Sequence, residues 1–383
     1  MSESVPSTVA PAFDAVDHAH MAEALRLAER GLHTTQPNPR VGCVLAHGEA
    51  VVGRGWHRRA GGAHAEVEAL ADAGAQARGA TAYVTLEPCG LHGRTPPCAD
   101  ALVAAGVARV VIAAEDAAQR GGGALERLRA AGIAVDCGLL REAARELNRG
   151  FFSRVERGRP WLRLKLAMSL DGRTALADGA SKWITGAAAR ADVQRWRARS
   201  SALLTGSGTV RADDPRLTLR RGEAGLEPAD ADAPPPLRVV LDRTLATPAG
   251  AAVLDGSVPT LIVHAPDAAP ADARYAAVER VAVPLAAVES GPPGLDLGAV
   301  LALLAARGVN ELQVEAGPTL GGALFAAGLV DELLLYVAPV LLGDRAQPLL
   351  ALPPLAEMAA RWRLRTIDRR AVGTDLRLLL RPE

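Results

Sequence analysis

Four residues in the first third of the chain combine metal binding with proton transfer: His64, Glu66, Cys89 and Cys98. One imidazole and two thiolates make up the three protein ligands that a catalytic zinc ion takes, with a fourth position left for water. Zinc lowers the pKa of that water from about 15.7 to about 7, and a nearby carboxylate can move its protons. The set predicts zinc-dependent hydrolytic deamination of a pyrimidine-type ring amine, with one zinc ion on His64, Cys89 and Cys98 and with Glu66 as proton shuttle.

The spacing of these residues indicates where each must lie. Residues two apart point to different sides of a helix, so His64 and Glu66 serve one site best at a helix start. Both cysteines also fall where helices are predicted to begin, and helix N-termini favour thiolates. Eight residues separate Cys89 from Cys98, whereas the short zinc-deaminase motif has two.

Hydrophobic periodicity predicts an α/β protein in which strands alternate with helices. A first helix over 17–30 is predicted with Asp17 as its cap, and 34–39 breaks it. In the first half, the predicted strands are 41–45, 51–53, 82–86, 108–113 and 133–137, and the further helices are 64–73, 97–105, 126–131 and 141–152. In the second half, strands are predicted at 161–167, 201–205, 237–241, 259–263, 311–315, 332–340 and 374–380, with 222–236 as a surface loop.

Turn-forming residues at 157–160 place a domain boundary near 153–159. We therefore predict a disordered leader over 1–16, a first domain over 17–153 and a second over 160–383. At 383 residues, the chain has the length expected for about two domains of ~100–200 residues each.

Charge and composition exclude several classes of function. Lys+Arg and Asp+Glu balance at 43 each, so no basic excess points to nucleic acid. The most apolar run, 329–342, is interrupted by Asp331 and Glu332 and is too short to span a membrane. Four cysteines favour metal binding over a disulfide framework. We expect a cytoplasmic homo-oligomer, a dimer or a tetramer, that acts on a small molecule.

Longer motifs surround the metal-binding residues and continue through the second half. Those of the first half are Gln36-Pro-Asn-Pro39, Val41-Gly-Cys-Val44, His64-Ala-Glu66, Thr85-Leu-Glu-Pro-Cys89 and His92-Gly-Arg-Thr-Pro-Pro-Cys98. Those of the second half are Leu164-Lys-Leu-Ala-Met-Ser-Leu-Asp-Gly-Arg173, Trp183-Ile-Thr185, Ala212-Asp-Asp-Pro215 and Val314-Glu-Ala-Gly-Pro-Thr319. From about residue 17 to the C-terminus, the chain resembles the bifunctional deaminase–reductase family of riboflavin biosynthesis.

This resemblance implies two reactions. The first is hydrolytic removal of the 2-amino group from a diaminopyrimidinone ribosylamine 5′-phosphate, and the second is NADPH reduction of the ribosyl group to ribityl. It also implies a cytidine-deaminase-like α/β/α sandwich followed by a dihydrofolate-reductase-like α/β domain. The cofactors implied are one zinc ion in the deaminase domain and NADPH in the reductase domain.

For the deaminase, the resemblance implies that Asn38, His57 and Arg94 contact the substrate. Two departures from the family bear on that contact. Leu91 stands where the family has a histidine that touches substrate, although His92 is its neighbour. The family's Asp-Pro-Asn-Pro with a following Gly-x-Gly turn is replaced here by Asp116-Ala-Ala-Gln119 and three glycines.

For the reductase, the resemblance implies two sets of residues. The substrate would be bound by Lys165, Ser181, Arg197, Leu217, Arg220 and Glu315. The NADPH site would be lined by Ala167, Trp183, Thr209, Asp213, Gly317, Pro318, Thr319, Leu320, Gly321, Gly322 and Ala323. The segment 317–323 is also the candidate phosphate cradle on its own pattern, since backbone N–H groups at a helix start bind phosphate. Lys165 is one of only two lysines, and on a buried strand it would pair with Asp171 or Glu315.

Three alternatives remain open at this point. The chain could join a nucleoside, base or tRNA deaminase to an unrelated domain, although its zero net charge and its cysteine spacing argue against this. It could be a zinc-stabilised structural protein, but such sites have four protein ligands and Glu66 would then have no purpose. It could also be an active reductase with an impaired deaminase, which Leu91 and the loop after Asp116 suggest.

Overall fold

The chain divides into two compact units, the first ending at Glu156 and the second running from Arg157 to Glu383. The computed structural model describes residues 13–91, 97–119, 123–226, 230, 233–269, 273–287 and 293–383. Within this part of the chain, no helix has the length and apolar character needed to cross a bilayer.

The first unit is an α/β/α sandwich around one sheet. Its strands are β1 (Gly42–His47), β2 (Ala50–Trp56), β3 (Thr81–Leu86), β4 (Arg109–Ala114) and β5 (Ala134–Cys137), in the order β2-β1-β3-β4-β5. Its helices are α1 (Ala15–Glu29), α2 (Ala65–Ala73), α3 (Cys98–Ala105), α4 (Ala124–Ala130), α5 (Arg141–Leu147) and α6 (Arg149–Arg157). Strands β3, β4 and β5 pair in parallel, whereas β1 is antiparallel to β2 and β3.

Each strand supplies apolar side chains to both faces of this sheet. On β4, Val110 and Ile112 belong to the core shared with α2, α3 and α4, whereas Val111 and Ala113 belong to the core shared with α1, α5 and α6. This division follows from the alternation of side chains along a strand. Helices α2 and α3, which carry the metal-binding motifs, therefore lie on the same face.

The start of α1 differs from the prediction. The helix begins at Ala15, and its cap is Asp14, whose carboxylate accepts a hydrogen bond from the Asp17 N–H at 2.8 Å. Asp17 completes a capping box and is buried, where it pairs with Arg109 at 2.7 Å. The predicted leader over 1–16 thus overlaps this helix at its end, and residues 1–12 lie outside the described part.

The predicted closing helix over 141–152 is in fact two helices, α5 and α6. Asn148 interrupts them because its carboxamide binds both backbone groups of Arg40, accepting from the N–H and donating to the carbonyl at 2.8 Å each. These two bonds fix the segment that follows Asn38. The second helix continues to Arg157.

Two glycines let α2 approach the sheet closely. A Cβ atom on Gly55 would lie 2.2 Å from the Ala65 carbonyl oxygen, and one on Gly53 would lie 2.4 Å from the Ala69 carbonyl oxygen. No side chain fits in either position. The first turn of α2 therefore sits directly on β2.

The second unit is built on a large, mostly parallel sheet. Its strands are β6 (Trp161–Ser169), β7 (Arg173–Ala175), β8 (Ala202–Gly206), β9 (Leu237–Leu241), β10 (Thr260–His264), β11 (Glu279–Ala282), β12 (Leu285–Ala286), β13 (Gly294–Leu295), β14 (Glu311–Val314), β15 (Glu332–Ala338), β16 (Gln347–Pro348), β17 (Leu364–Val372) and β18 (Asp375–Pro382). Nine of them form the main sheet, in the order β11-β10-β9-β8-β14-β6-β15-β18-β17. In this order, the strands from β11 to β15 are parallel, and β18 and β17 add an antiparallel hairpin.

Helices cover both faces of this sheet. They are α7 (Ala187–Ala198), α8 (Ser207–Asp213), α9 (Arg221–Ala224), α10 (Leu297–Ala306) and α11 (Pro318–Ala326). Helices α10 and α11 share one core with the strands, whereas α7 and α8 pack on clusters of the other face. The short helix α9 falls in the predicted surface loop 222–236, and its Ala224 is buried.

The sheet face beneath α7 carries buried charges as well as apolar groups. Arg163 on β6 is fully buried and donates to Glu332 at 2.8 Å and to Glu311 at 2.9 Å. Its guanidinium lies over the ring of Trp196 on α7, 4.5 Å from the centroid. Helix α7 is thus seated partly on ion pairs.

Substitution of Gly55 tests the close approach of α2. We expect Gly55→Ala to lower the free energy of unfolding of the first unit by about 1–3 kcal/mol, because the added methyl group overlaps the helix backbone. Urea unfolding followed by circular dichroism measures this. Gly208→Ala, where a Cβ meets nothing within 4 Å, is the control and should not lower stability, because alanine is the better helix former. Equal stability of the two variants would contradict the packing described.

Candidate active sites

Three side chains of types that bind metal ions converge in the first unit. His64 is the N-cap of α2, Cys89 follows the end of β3 and Cys98 is the first residue of α3. The His64 Nδ1 atom lies 3.2 Å from the Cys98 Sγ and 3.6 Å from the Cys89 Sγ. Across the described residues, this is the one group of three or more histidine, cysteine or acidic side chains whose donor atoms all lie within 4.8 Å.

The start of α3 stabilises the Cys89 sulfur as an anion. The Cys98 backbone N–H donates to the Cys89 Sγ at 3.1 Å. The hydrogen bond between the two thiols, supported by His64, lowers the pKa of Cys89 to about 4 and raises that of Cys98 well above its usual range. One nitrogen and two sulfur donors in reach of one point fit a tetrahedral cation with a free fourth position.

Glu66 lies beside this group without belonging to it. It is buried in the first turn of α2, and burial raises the pKa of its carboxyl to about 7 against the opposing effect of its own backbone N–H and of His64. The thiol of Cys43 on β1 is also near, since Glu66 adds to the effect of burial in raising the pKa of that thiol. Sequence patterns did not associate Cys43 with the site.

His57, predicted to contact the substrate, lies next to the candidate metal ligand His64, and Asn38, predicted for the same role, contacts His57. The His57 Nδ1 lies 2.9 Å from the Ala63 carbonyl oxygen, so it carries the proton and its Nε2 accepts from the Asn38 amide at 3.1 Å. Burial lowers the pKa of His57. The His57 ring meets that of His64 edge-on, with 5.5 Å between centroids. Arg94 and His92 lie outside the described residues, and Leu91 is exposed.

In the second unit, three predicted substrate residues form one charged cluster. The Arg197 guanidinium on α7 donates to both carboxylate oxygens of Glu315, at 2.7 and 2.8 Å, and to the Thr218 carbonyl at 2.8 Å. Lys165 on β6 lies near Glu315, which opposes the lowering of the lysine pKa by burial. Asp171, the other predicted partner of Lys165, instead binds Ser169 and the Gly343 N–H.

The electrostatic state of Glu315 follows from these neighbours. Burial would raise the pKa of its carboxyl, but the charge and hydrogen bonds of Arg197, together with Lys165, lower it to about 2. Gln313, two residues earlier on β14, donates to the same carboxylate at 2.9 Å. Gln313 is fully buried, and no sequence pattern singled it out.

The other predicted reductase residues occupy varied surroundings. Leu217 is buried, whereas Arg220 is exposed and pairs with Glu223 at 3.1 Å. Thr209 and Asp213 lie on α8, which begins directly after β8. Ser181 and Ala167 are half-buried, and Trp183 is exposed.

The predicted phosphate cradle over 317–323 is shorter than expected. Helix α11 begins at Pro318, and the Gly321 N–H already donates to the Gly317 carbonyl. A Cβ on Gly322 would lie 2.2 Å from the Ala351 carbonyl oxygen, so this glycine serves packing. The backbone N–H groups suited to phosphate are therefore those of the first turn, at Gly317, Thr319 and Leu320.

The folds and sites define a class: a cytidine-deaminase-type enzyme joined in one chain to a reductase. Residues 14–114 match the family described as the cytidine and deoxycytidylate deaminase zinc-binding region, and residues 160–377 match the RibD C-terminal domain. The chain belongs to the RibD family, the bifunctional deaminase–reductases of riboflavin biosynthesis. The two-domain α/β prediction and the predicted resemblance are confirmed.

Relatives of known name match nearly the whole chain. The riboflavin biosynthesis protein RibD of Escherichia coli is 46% identical, covering 95% of this chain and 99% of its own, and that of Haemophilus influenzae is 44% identical, covering 97% and 99%. The structure of Acinetobacter baumannii RibD superposes with a TM-score of 0.85 at 41% identity, covering 96% and 99%. A Thermotoga maritima deaminase/reductase superposes with a TM-score of 0.80 at 29% identity, with the same coverage.

Acid titration tests the Glu315 cluster. Because the pKa of Glu315 is lowered from 4.5 to about 2 on folding, its contribution to stability is complete above pH 4.5 and is lost as the pH falls towards 2. We expect Glu315→Gln to destabilise the second unit by about 3 kcal/mol at pH 7, with the deficit shrinking between pH 4.5 and 2.

The measurement is the urea midpoint of wild type and variant across this pH range. Glu279→Gln removes a carboxylate of an exposed pair with Arg307 and should cost less than about 1 kcal/mol. A deficit for Glu315→Gln that does not change with pH would contradict the charged state assigned to Glu315.

Proposed function

We propose that the first unit binds one zinc ion through His64, Cys89 and Cys98 and deaminates a diaminopyrimidinone ribosylamine 5′-phosphate. The observation that carries the proposal is the convergence of these three donors beside a buried carboxylate. A bound zinc ion would supply a water molecule acidic enough to lose a proton near neutral pH.

Glu66 would transfer the protons of this reaction. Its carboxylate would take a proton from the attacking water and deliver protons to the ring nitrogen and the departing amine. Water adds to the carbon that carries the amine, the carbon–nitrogen bond breaks, ammonia leaves and a carbonyl remains. The position of Glu66 in the first turn of α2, two residues after His64, supports this role.

Asn38, His57 and Arg94 would orient the pyrimidine substrate. Two contacts support this for Asn38: the hydrogen bond from its amide to His57, and the anchoring of the adjoining Arg40 backbone by Asn148. His57 is neutral in this arrangement, so it presents no repulsive charge to a cation at His64.

For the second unit, we propose NADPH-dependent reduction of the ribosyl group to ribityl. When bound, NADPH would supply a hydride to the imine carbon of the open-chain ribosyl group, and a proton would complete the reduction. Lys165, Ser181, Arg197, Leu217, Arg220 and Glu315 would bind the substrate. Ala167, Trp183, Thr209, Asp213 and the segment 317–323 would line the NADPH site, with phosphate bound by the N–H groups of Gly317, Thr319 and Leu320.

The parallel strands of the second unit support this assignment. Residues Ala167, Thr209 and Gly317 lie at or just beyond the carboxyl ends of the neighbouring strands β6, β8 and β14. Open α/β sheets bind their ligands at that edge. A Cβ on Gly206, the last residue of β8, would meet the Leu320 side chain at 3.4 Å, which brings α8 and α11 to one place.

Domain limits of 17–153 and 160–383, a cytoplasmic location and a homo-oligomer, dimeric or tetrameric, are also proposed. The division of the chain after Glu156 supports the limits. Analytical ultracentrifugation would test the oligomeric state.

The most direct test is incubation of the purified protein with the diaminopyrimidinone phosphate, with and without NADPH. Ammonia release should occur in both cases, and NADPH oxidation should follow it. Ammonia release from cytidine or tRNA in place of this substrate would overturn the proposed substrate.

Substitution of Glu66 separates metal binding from proton transfer. Glu66→Gln should keep one zinc ion per chain yet lower ammonia release by at least ~10²-fold, since the variant loses a positioned acid–base group. Metal analysis and ammonia assays measure the two effects. Glu68→Gln, on the same helix, is the control. Near-normal deamination by Glu66→Gln would exclude the assigned role.

Substitution of Arg197 tests the independence of the two sites. Arg197→Lys keeps the charge but loses the bidentate hydrogen bonds to the Glu315 carboxylate. We therefore expect reductase kcat/KM to fall about 10–100-fold. Ammonia release should not change. Arg195→Lys on the exposed side of α7 is the control. An equal loss of both activities would contradict separate sites.

A further inference from the structure

The peptide bond between Cys89 and Gly90 is hydrogen-bonded on both sides. Its carbonyl oxygen, on Cys89, accepts from the Ala99 N–H of α3 at 3.2 Å. Its N–H, on Gly90, donates to the side-chain oxygen of Gln119 at 2.9 Å. The orientation of this peptide plane sets both the direction of the Cys89 side chain and the path of the chain towards Leu91.

Gln119 is itself held in place. Its side-chain Nε2 donates to the Asp116 carboxylate at 2.8 Å, and its backbone N–H donates to the Asp116 carbonyl at 3.0 Å. Asp116 is buried; its other carboxylate oxygen accepts from the Ala118 N–H, and its own N–H donates to Glu87. A continuous set of hydrogen bonds therefore joins the loop after β4 to the residue that follows Cys89.

Apart from these hydrogen bonds, the Gln119 side chain contributes little to the packing of the first unit. It belongs to none of the hydrophobic clusters of the first unit. It lines an open cleft of about 540 Å³ together with Glu87, Asp116 and Gly123, so its truncation enlarges an existing space and leaves the core intact. Its one side-chain contact outside its own loop is with the Gly90 N–H, next to Cys89.

We propose that Gln119 is a positioning residue of the deaminase, which orients the zinc ligand Cys89 by fixing the Gly90 amide. The proposal rests on the proposed zinc site. Hydrogen-bond partners that contact metal ligands directly orient them, and their loss typically costs 10–100-fold in metal affinity. Gln119 would act on Cys89 in the same way through the peptide bond that joins Cys89 to Gly90. Gln119 lies in the loop where the chain departs from its family, so this contact gives the altered loop a defined task.

The test compares Gln119→Ala and Gln119→Leu with wild type. Both variants lose the acceptor for Gly90, and the leucine retains most of the side-chain volume. In competition with a chelator, we expect both variants to bind zinc about 10–100-fold more weakly than wild type does. In the cobalt-substituted protein, the thiolate-to-metal absorption bands should shift.

A measurement on the metal-free protein completes the test. Hydrogen exchange of the peptide that contains Gly90 should be faster in both variants, because its amide has lost its acceptor. Gln76→Ala, a glutamine on the 3-10 turn Gly74–Ala77, is the matched control and should behave as wild type. Circular dichroism and reductase activity should be unchanged in all variants.

Each contrary outcome has one meaning. If wild type binds no zinc, the proposed deaminase site fails. If wild type binds zinc but both Gln119 variants match it in chelator competition and cobalt spectrum, the role of Gln119 is overturned. If the variants lose secondary structure, Gln119 is a folding residue and the positioning role is likewise overturned.

Discussion

Parallel strand pairing determines where the chemistry of both units can lie. Parallel strands all end at the same edge of a sheet, so the loops that follow them are neighbours whatever their separation in sequence. In the first unit, Cys89 follows β3 and Asp116 follows β4. In the second, Glu315 follows β14 next to Lys165 on β6. Side chains at and around the two proposed sites are therefore brought together by the sheets, although they are far apart in the sequence.

The packing of helices against the sheets fixes the positions of the site residues further, and this packing differs between the two units. In the first, the absence of side chains at Gly53 and Gly55 allows α2 to lie directly on β2. In the second, α7 rests on a face that includes the buried pairs of Arg163 with Glu311 and Glu332. Buried ion pairs contribute little net stability against apolar replacements, but removing one partner is costly. They therefore favour one alignment of α7, and with it one position for Arg197 against Glu315.

Much of this could be predicted from sequence, and the failures have physical causes. The metal-binding residues and the alternation of strands and helices are local patterns, since they depend on residue type and short spacing. The break at Asn148 and the contact of Gln119 with Gly90 depend on partners distant in sequence, which periodicity does not report. The N–H groups suited to phosphate cover less than the predicted segment 317–323. A glycine that leaves room for phosphate and a glycine that leaves room for a neighbouring backbone, as Gly322 does for Ala351, look alike in a sequence. Asp14 and Asp17 both suit a cap position in the sequence, and the structure distinguishes them by the hydrogen bond that the Asp14 carboxylate accepts from the Asp17 N–H and by the burial of Asp17 against Arg109.

The hydrogen bond from the Cys98 N–H to the Cys89 sulfur bears on how the folding of the first unit is related to the proposed zinc ion. Small zinc-dependent domains fold only when the metal supplies the missing free energy. Here two apolar cores on either side of the first sheet surround the elements that carry the ligands, and the Cys98 N–H already offers the Cys89 sulfur a partner. The backbone around His64, Cys89 and Cys98 is thus held by the packing of the polypeptide itself, so the free energy of folding of this unit does not have to come from the proposed zinc ion.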